Sequence, residues 1–275
     1  MKIDSHQHFW NFDPERHAWI NDDMGTLKRD FLPQDLGPIL HKYGIDGCVS
    51  VQADQSEAET EYLLGFAENY QFIKGVVGWV DLQAADLDER LSHYTQFKKL
   101  KGFRHVLQDE SDLDFMLRPA FLKGVSRLKE HGLTYDILIY PEHLPNVVRF
   151  VGEFLDQPFV IDHLAKPVIR QRQIREWRNQ IRAVAAYENV HCKLSGMVTE
   201  ADWHNWHPED FDPYTDVILE AFGAKRIMYG SDWPVCTVAS TYRETLDLAQ
   251  RFAGKLSNDE QALFWGENAV AFYHL

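Results

Sequence analysis

His6 and His8 lie one residue apart at the end of a short strand-like run, Met1-Lys2-Ile3-Asp4-Ser5-His6-Gln7-His8. Side chains alternate across a strand, so the two imidazoles point the same way and can share a metal ion or a substrate carbonyl. So short a pattern gains meaning only from partners elsewhere in the chain. The candidates are His163 at the end of PFVIDH, Asp232 in GSDWP, Arg104 and His105 in KGFRHV, Lys193 in VHCKLS, and Gln52, Trp79 and Trp233, each at the end of a buried-looking run. His6, His8, His163 and Asp232 together can bind one divalent ion, or the three imidazoles can bind it and leave the carboxylate free. Equally, the imidazoles and an arginine can polarise a carbonyl directly while Asp232 takes a proton from water.

Plain structural roles compete with each of these. His163 can simply bond a backbone carbonyl, and Asp232 sits among turn-forming residues. Arg104 and His105 are adjacent, so a regular strand turns only one of them inward, and Arg104 is the preferred one. Lys193 and Asp136 each interrupt an apolar run. A buried unpaired charge is costly, so each suits the other as a partner.

Positioning such residues requires a scaffold, and the chain repeats one kind of unit. A β-branched or apolar run is followed by a polar turn and then by a segment with helical spacing. Strands are predicted over 2–7, 45–52, 73–80, 100–106, 133–139, 158–163, 190–195 and 226–231. Helices are predicted over 34–43, 56–70, 84–98, 119–131, 143–156, 172–187, 213–222 and 240–253, with a last one over 257–272. Ser56 and Ser257 read as N-caps, Pro119 as a first helical residue and Gly132 as a helix stop. Eight such units in one chain predict an α/β fold, a (β/α)8 TIM barrel forming a single domain over 1–275, whose active site lies at the C-terminal strand ends. A doubly wound open sheet is the alternative, and HQHFW in place of a Gly-rich turn after the first strand argues against it. Two long loops, 9–33 and 197–212, are rich in aromatic residues and are candidate walls of the site.

The 275 residues are 45% hydrophobic and carry a formal charge of -14, which argues against nucleic acid or an anionic membrane surface as partner. Cys48, Cys192 and Cys236 are too few and too scattered for a disulfide framework or a cysteine metal site. There is neither a long apolar span nor a signal-peptide pattern, so a cytoplasmic location is expected. Oligomeric state is not readable from the sequence.

Six stretches in succession, DSHQHFW, KGFRHVLQ, FVIDHLAKP, CKLSGM, GSDWPV and WGENAVAFY, resemble the amidohydrolase superfamily, and within it the branch of sugar-acid and aromatic-pathway lactonases. The resemblance covers nearly the whole chain. It implies a hydrolase that opens a small-molecule sugar lactone of the L-fuconolactone or L-rhamnonolactone type. His6, His8 and His163 match the family's histidines, Asp232 its water-activating aspartate, and Arg104 an arginine that holds substrate. Gln52, Trp79, His105, Lys193 and Trp233 are further candidate substrate contacts. Ile139-Tyr140 stands where metal-rich relatives carry a histidine, so a binuclear centre is not expected and a single zinc or manganese ion is optional. A metal-dependent decarboxylase of the same superfamily and a non-catalytic sugar-acid-binding barrel are the alternatives.

Overall fold

The computed structural model describes residues 1–275. Strands β1 (Ile3–Gln7), β2 (Gly47–Val51), β3 (Ile73–Gly78), β4 (Leu100–Val106), β5 (Thr134–Leu138), β6 (Phe159–Ile161), β7 (Val190–Leu194) and β8 (Ile227–Tyr229) pair in that order, all parallel. One helix follows each strand: α1 (Pro33–Tyr43), α2 (Glu57–Asn69), α3 (Leu87–Tyr94), α4 (Pro119–Leu128), α5 (Leu144–Gly152), α6 (Arg175–Ala185), α7 (Asp212–Phe222) and α8 (Tyr242–Ala253). The fold is a (β/α)8 barrel, with its main hydrophobic core between sheet and helices. No helix is long and apolar enough to cross a membrane.

The local start and stop chemistry acts as the sequence predicts. Ser56 Oγ accepts the Glu59 amide at 3.2 Å, Pro119 opens α4, and Gly132 adopts a left-handed φ of 68° after it. The last predicted helix is broken into α9 (Asn258–Ala262), a widened turn at Leu263–Glu267 and α10 (Asn268–Tyr273). That turn carries Gly266 against the Met1 carbonyl, where no Cβ would fit. Strands β6 and β8 end before the predicted His163 and Ser231, because both chains leave the sheet there to build the site.

The seam between β8 and β1 is closed by the tail of β8 rather than by β8 itself. His8 N–H donates to Trp233 O at 2.7 Å and Asp232 N–H donates to His6 O at 2.8 Å. Asp4 reinforces the seam, accepting from Ser231 N–H at 2.8 Å, from Tyr242 O–H at 3.1 Å and from His6 N–H at 3.3 Å. Burial pushes this carboxyl up to about 6. β1 also contains a bulge, for Asp4 pairs with Cys48 and Gln7 with Ser50, so three steps on one strand match two on the other. Strict alternation from the inward Ile3 would turn Ser5 and Gln7 inward. The extra residue turns His6 and His8 inward instead.

The barrel interior is layered. Ile3, Val49, Val77, Val160 and Met228 pack on Ala269, Phe272 and Tyr273, so α10 closes the floor of the barrel at the N-terminal strand ends. Above them lies a layer of charge. Lys193 Nζ bridges Asp136 Oδ2 at 2.5 Å and Asp162 Oδ1 at 3.0 Å, and Tyr273 O–H donates to Asp136 at 2.8 Å. Arg104 pairs with Asp162 at 2.9 Å. Burial pushes Asp136 up to about 6. Burial opposes ionisation of Asp162 too, but Lys193, His6 and Arg104 outweigh it and hold that carboxyl well below the ordinary range.

Removing one partner of such a network strands the others without water. Lys193→Met should therefore lower the unfolding free energy by about 3–5 kcal/mol, measured by denaturant titration. A loss below about 1 kcal/mol would show that the ammonium does not carry the two carboxylates.

Candidate active site

His8, Arg104, His163 and Asp232 meet at one mouth of the barrel, where they line a cavity of about 520 Å³. His6 stands directly behind them, with its Nε2 3.2 Å from His8 Nε2. Asp232 Oδ1 lies 3.4 Å from His8 Nε2, 3.9 Å from His6 Nε2 and 4.0 Å from His163 Nε2. The sequence-predicted quartet is thus a single cluster contributed by β1, the segment after β6 and the segment after β8.

Two of the four residues sit in strained backbone. Asp232 has a φ of 58°, and His163, Leu164, Ala165 and Lys166 run consecutively through the left-handed region with φ of 54°, 57°, 59° and 47°. Each such residue costs about 1–2 kcal/mol, so the conformation persists only where its surroundings dictate it. Trp177 Nε1–H of α6 donates to Leu164 O at 2.9 Å, and Leu164 and Ala165 are fully buried. Gly196, itself left-handed at φ 61°, lies so close to the His163 ring that a Cβ would collide with it. Asp232 is fixed by the seam bonds on either side of it.

The ring orientations follow from hydrogen bonds to the far nitrogens. His8 Nδ1–H donates to Val51 O at 2.8 Å, which turns Nε2 towards the site. His163 Nδ1 bonds Ser195 Oγ at 2.9 Å, so its Nε2 also faces Asp232. His6 Nδ1 lies 3.1 Å from Lys193 Nζ and 3.3 Å from Asp162 Oδ1. Burial pushes the His163 ring down to about 4 and holds His6 well below its ordinary value, so both are neutral at pH 7. Burial raises Asp232, but His163, His8 and Lys166 outweigh it and keep the carboxyl below the usual range. Asp232 is therefore an ionised carboxylate beside two neutral imidazoles, His6 and His163.

This donor set fits a divalent ion. His6, His8 and Asp232 each offer a ligand atom within 4.8 Å of one another, as do His6, Asp162 and His163. Two imidazole nitrogens 3.2 Å apart have the spacing of neighbouring ligands on one ion with bonds of about 2.0–2.1 Å. With an ion there, the His6 proton belongs on Nδ1, facing Asp162. The same atoms are also satisfied without an ion: Lys193 donates to His6 Nδ1, and His6 Nε2–H donates to His8 Nε2.

Several predicted contacts are corrected by their positions. Gln52 is buried and does not line the cavity; its Oε1 accepts from Arg104 Nε at 3.0 Å and Nη2 at 2.6 Å. His105 follows the inward Arg104 on β4 and so faces outward, bonded to Glu110 at 2.7 Å and stacked on Phe115. Trp79 turns out with it, its indole N–H pointing to His105 Nδ1 at 3.3 Å. Lys193 lies beneath the floor, and Trp233 packs edge-on against Phe31 and Phe9. Arg104 does reach the cavity, but its guanidinium is committed to Gln52 and Asp162, with Nη1 also 3.4 Å from His6 Nε2, so it acts there as a fixed charge. Trp19 and Trp203 of the two long loops line the cavity, whereas Trp10 is buried. Asp162, Arg16 and Glu200 were not singled out from sequence. Alternation from the inward Val160 was enough to find Asp162; the loop residues had no such regularity.

Comparison with known proteins places this geometry. Residues 3–275 match the Amidohydrolase family. The chain is 39% identical to an L-fucono-1,5-lactonase of Burkholderia multivorans, covering 100% of this chain and 96% of that one. It is 35% identical to an L-fucono-1,5-lactonase of Burkholderia ambifaria with the same coverage. The crystal structure of an amidohydrolase from Burkholderia multivorans with bound zinc superposes with a TM-score of 0.96 at 40% identity, covering 100% of this chain and 99% of that one. With the family match running the length of the barrel, this chain belongs to the amidohydrolase family.

Proposed function

We propose that the chain is a lactonase that hydrolyses the ring ester of a sugar-acid lactone, with L-fucono-1,5-lactone, the substrate for which its two relatives are named, as the first candidate. The observation that carries the mechanism is the ionised Asp232 carboxylate set within 4.0 Å of three imidazole Nε2 atoms at the cavity floor. A water donating one hydrogen to Asp232 Oδ1 and the other to His8 or His163 Nε2 is left with a lone pair directed into the cavity. Asp232 takes the proton as that water adds to the lactone carbonyl. The oxyanion forms in the field of the Arg104 guanidinium, which Gln52 and Asp162 hold in place. Collapse of the tetrahedral intermediate breaks the bond to the ring oxygen, and protonated Asp232 returns its proton to that oxygen. The product is an open-chain hydroxy acid.

His6, His8, His163 and Asp232 are the residues that would hold a zinc or manganese ion. Such an ion, when bound, lowers the pKa of water and polarises the carbonyl. The residues themselves supply the orientation: Val51 O fixes His8, Ser195 fixes His163, and the Asp162–Lys193 pair fixes His6.

Asp232→Asn should reduce lactone turnover by about 10²- to 10⁴-fold in a pH-indicator assay, with the protein still folded. Near-normal turnover in the folded variant would remove Asp232 from the role of base. For the ion, metal-stripped protein titrated with zinc in a calorimeter should bind one equivalent per chain. His8→Ala should weaken that binding by at least about tenfold. A stoichiometry of two, or binding indifferent to His8, would contradict the ligand set.

A further inference from the structure

Two cations in the cavity wall, Arg16 and Lys166, are uncommitted. Arg104 has given its N–H groups to protein acceptors, and Lys193 lies below the floor between two aspartates. Arg16 is exposed on the first long loop. Lys166 lines the cavity, is only partly exposed, and forms neither a hydrogen bond through Nζ nor an ion pair. Its ammonium rests over the Tyr140 ring, 5.1 Å from the centroid.

The position of Lys166 is built by the strained turn. Lys166 N–H closes the turn on His163 O at 2.7 Å. In so tight a turn, side chains three residues apart eclipse, so His163 and Lys166 face the same cavity while Leu164 and Ala165 are buried between them. The backbone distortion that aims the histidine therefore also aims the lysine.

We propose that Lys166 is the carboxylate subsite of this cavity: its ammonium donates to the carbonyl oxygen of the bound lactone and then to the carboxylate that ring opening leaves in its place. This rests on the lactonase reading above. The balance of charge at the floor gives the reason. Asp136 and Asp162 are matched by Lys193 and Arg104, which leaves Asp232 at the floor and Glu200 in the wall as anions without an ion pair, and the Lys166 charge acts on both. The product carboxylate forms beside Asp232, and two neighbouring anions repel. His8 has already given its Nδ1–H to Val51 O. Lys166 can donate to the product carboxylate: its charge already acts on both Asp232 and His163, and a lysine is a mobile point charge on a flexible stem.

The test uses two ligands with one carbon skeleton, the aldonate formed from L-fucono-1,5-lactone and the uncharged alditol, with binding measured by calorimetry. Lys166→Met should weaken the aldonate by about 10- to 100-fold and leave the alditol within about twofold. Lys166→Arg should recover most of the aldonate affinity, and it guards against a Met variant that fails to fold. Equal losses for both ligands, or no loss for the aldonate, would overturn the subsite. Lactone turnover by the unaltered protein is followed in parallel. Lysine-dependent aldonate binding without turnover would keep the subsite and remove the hydrolase reading. Normal turnover with lysine-independent binding would do the reverse.

Discussion

Two backbone hydrogen bonds across the barrel seam, Asp232 N–H to His6 O and His8 N–H to Trp233 O, set the geometry on which the site depends. They join the first and last strands at the level of the reacting groups. The barrel cannot close without bringing Asp232 beside both histidines. The bulge in β1 then decides which way those histidines point, and the Asp4 carboxylate clamps the seam from its outer side. Backbone, rather than side-chain attraction, fixes the separation of Asp232 and the imidazoles.

Beneath the site, the charged layer of Lys193, Asp136, Asp162 and Arg104 serves position more than stability. A buried ion network is often no better for stability than apolar residues of the same volume. The apolar layer just below, from Ile3 to Met228, shows that this barrel can fill its interior with hydrocarbon. The charged layer sits where His6 and Arg104 need partners on their inner sides. Tyr273 links it to the helix that closes the far end of the barrel. The same network lets His6 carry its proton on either nitrogen, so the site is satisfied with an ion or without one.

Much of this was legible in the sequence because it is periodic. Eight apolar runs alternating with amphipathic segments specify a parallel barrel, and the ends of those runs named His6, His8, His163, Asp232 and Arg104 before any coordinates. That only one of Arg104 and His105 turns inward follows from alternation, and the pairing of Lys193 with Asp136 follows from the cost of burying either charge alone. What alternation does not reach is the backbone that breaks it. The left-handed run from His163 to Lys166 ends β6 early and aims two side chains at once, and nothing in DHLAKP announces four residues of positive φ. Gln52, Trp79 and Trp233 fall outside the cavity lining for the same reason: each lies past the regular part of its strand, where a local partner, not the pleat, sets the direction of the side chain. The loop residues Arg16, Trp19, Glu200 and Trp203 reach the cavity through long-range packing that has no period.

In the proposed mechanism water, activated by Asp232, attacks the lactone carbonyl. Single-turnover hydrolysis in water enriched with heavy oxygen tests it directly, with mass spectrometry of the product and of the peptide containing Asp232. That mechanism puts one heavy oxygen in the product carboxylate, none in the hydroxyl released from the ring, and none in the Asp232 carboxylate. Label in Asp232 after an unlabelled first turnover would make that residue a nucleophile, and label in the ring-derived hydroxyl would move the attack away from the carbonyl. Either result would contradict the mechanism.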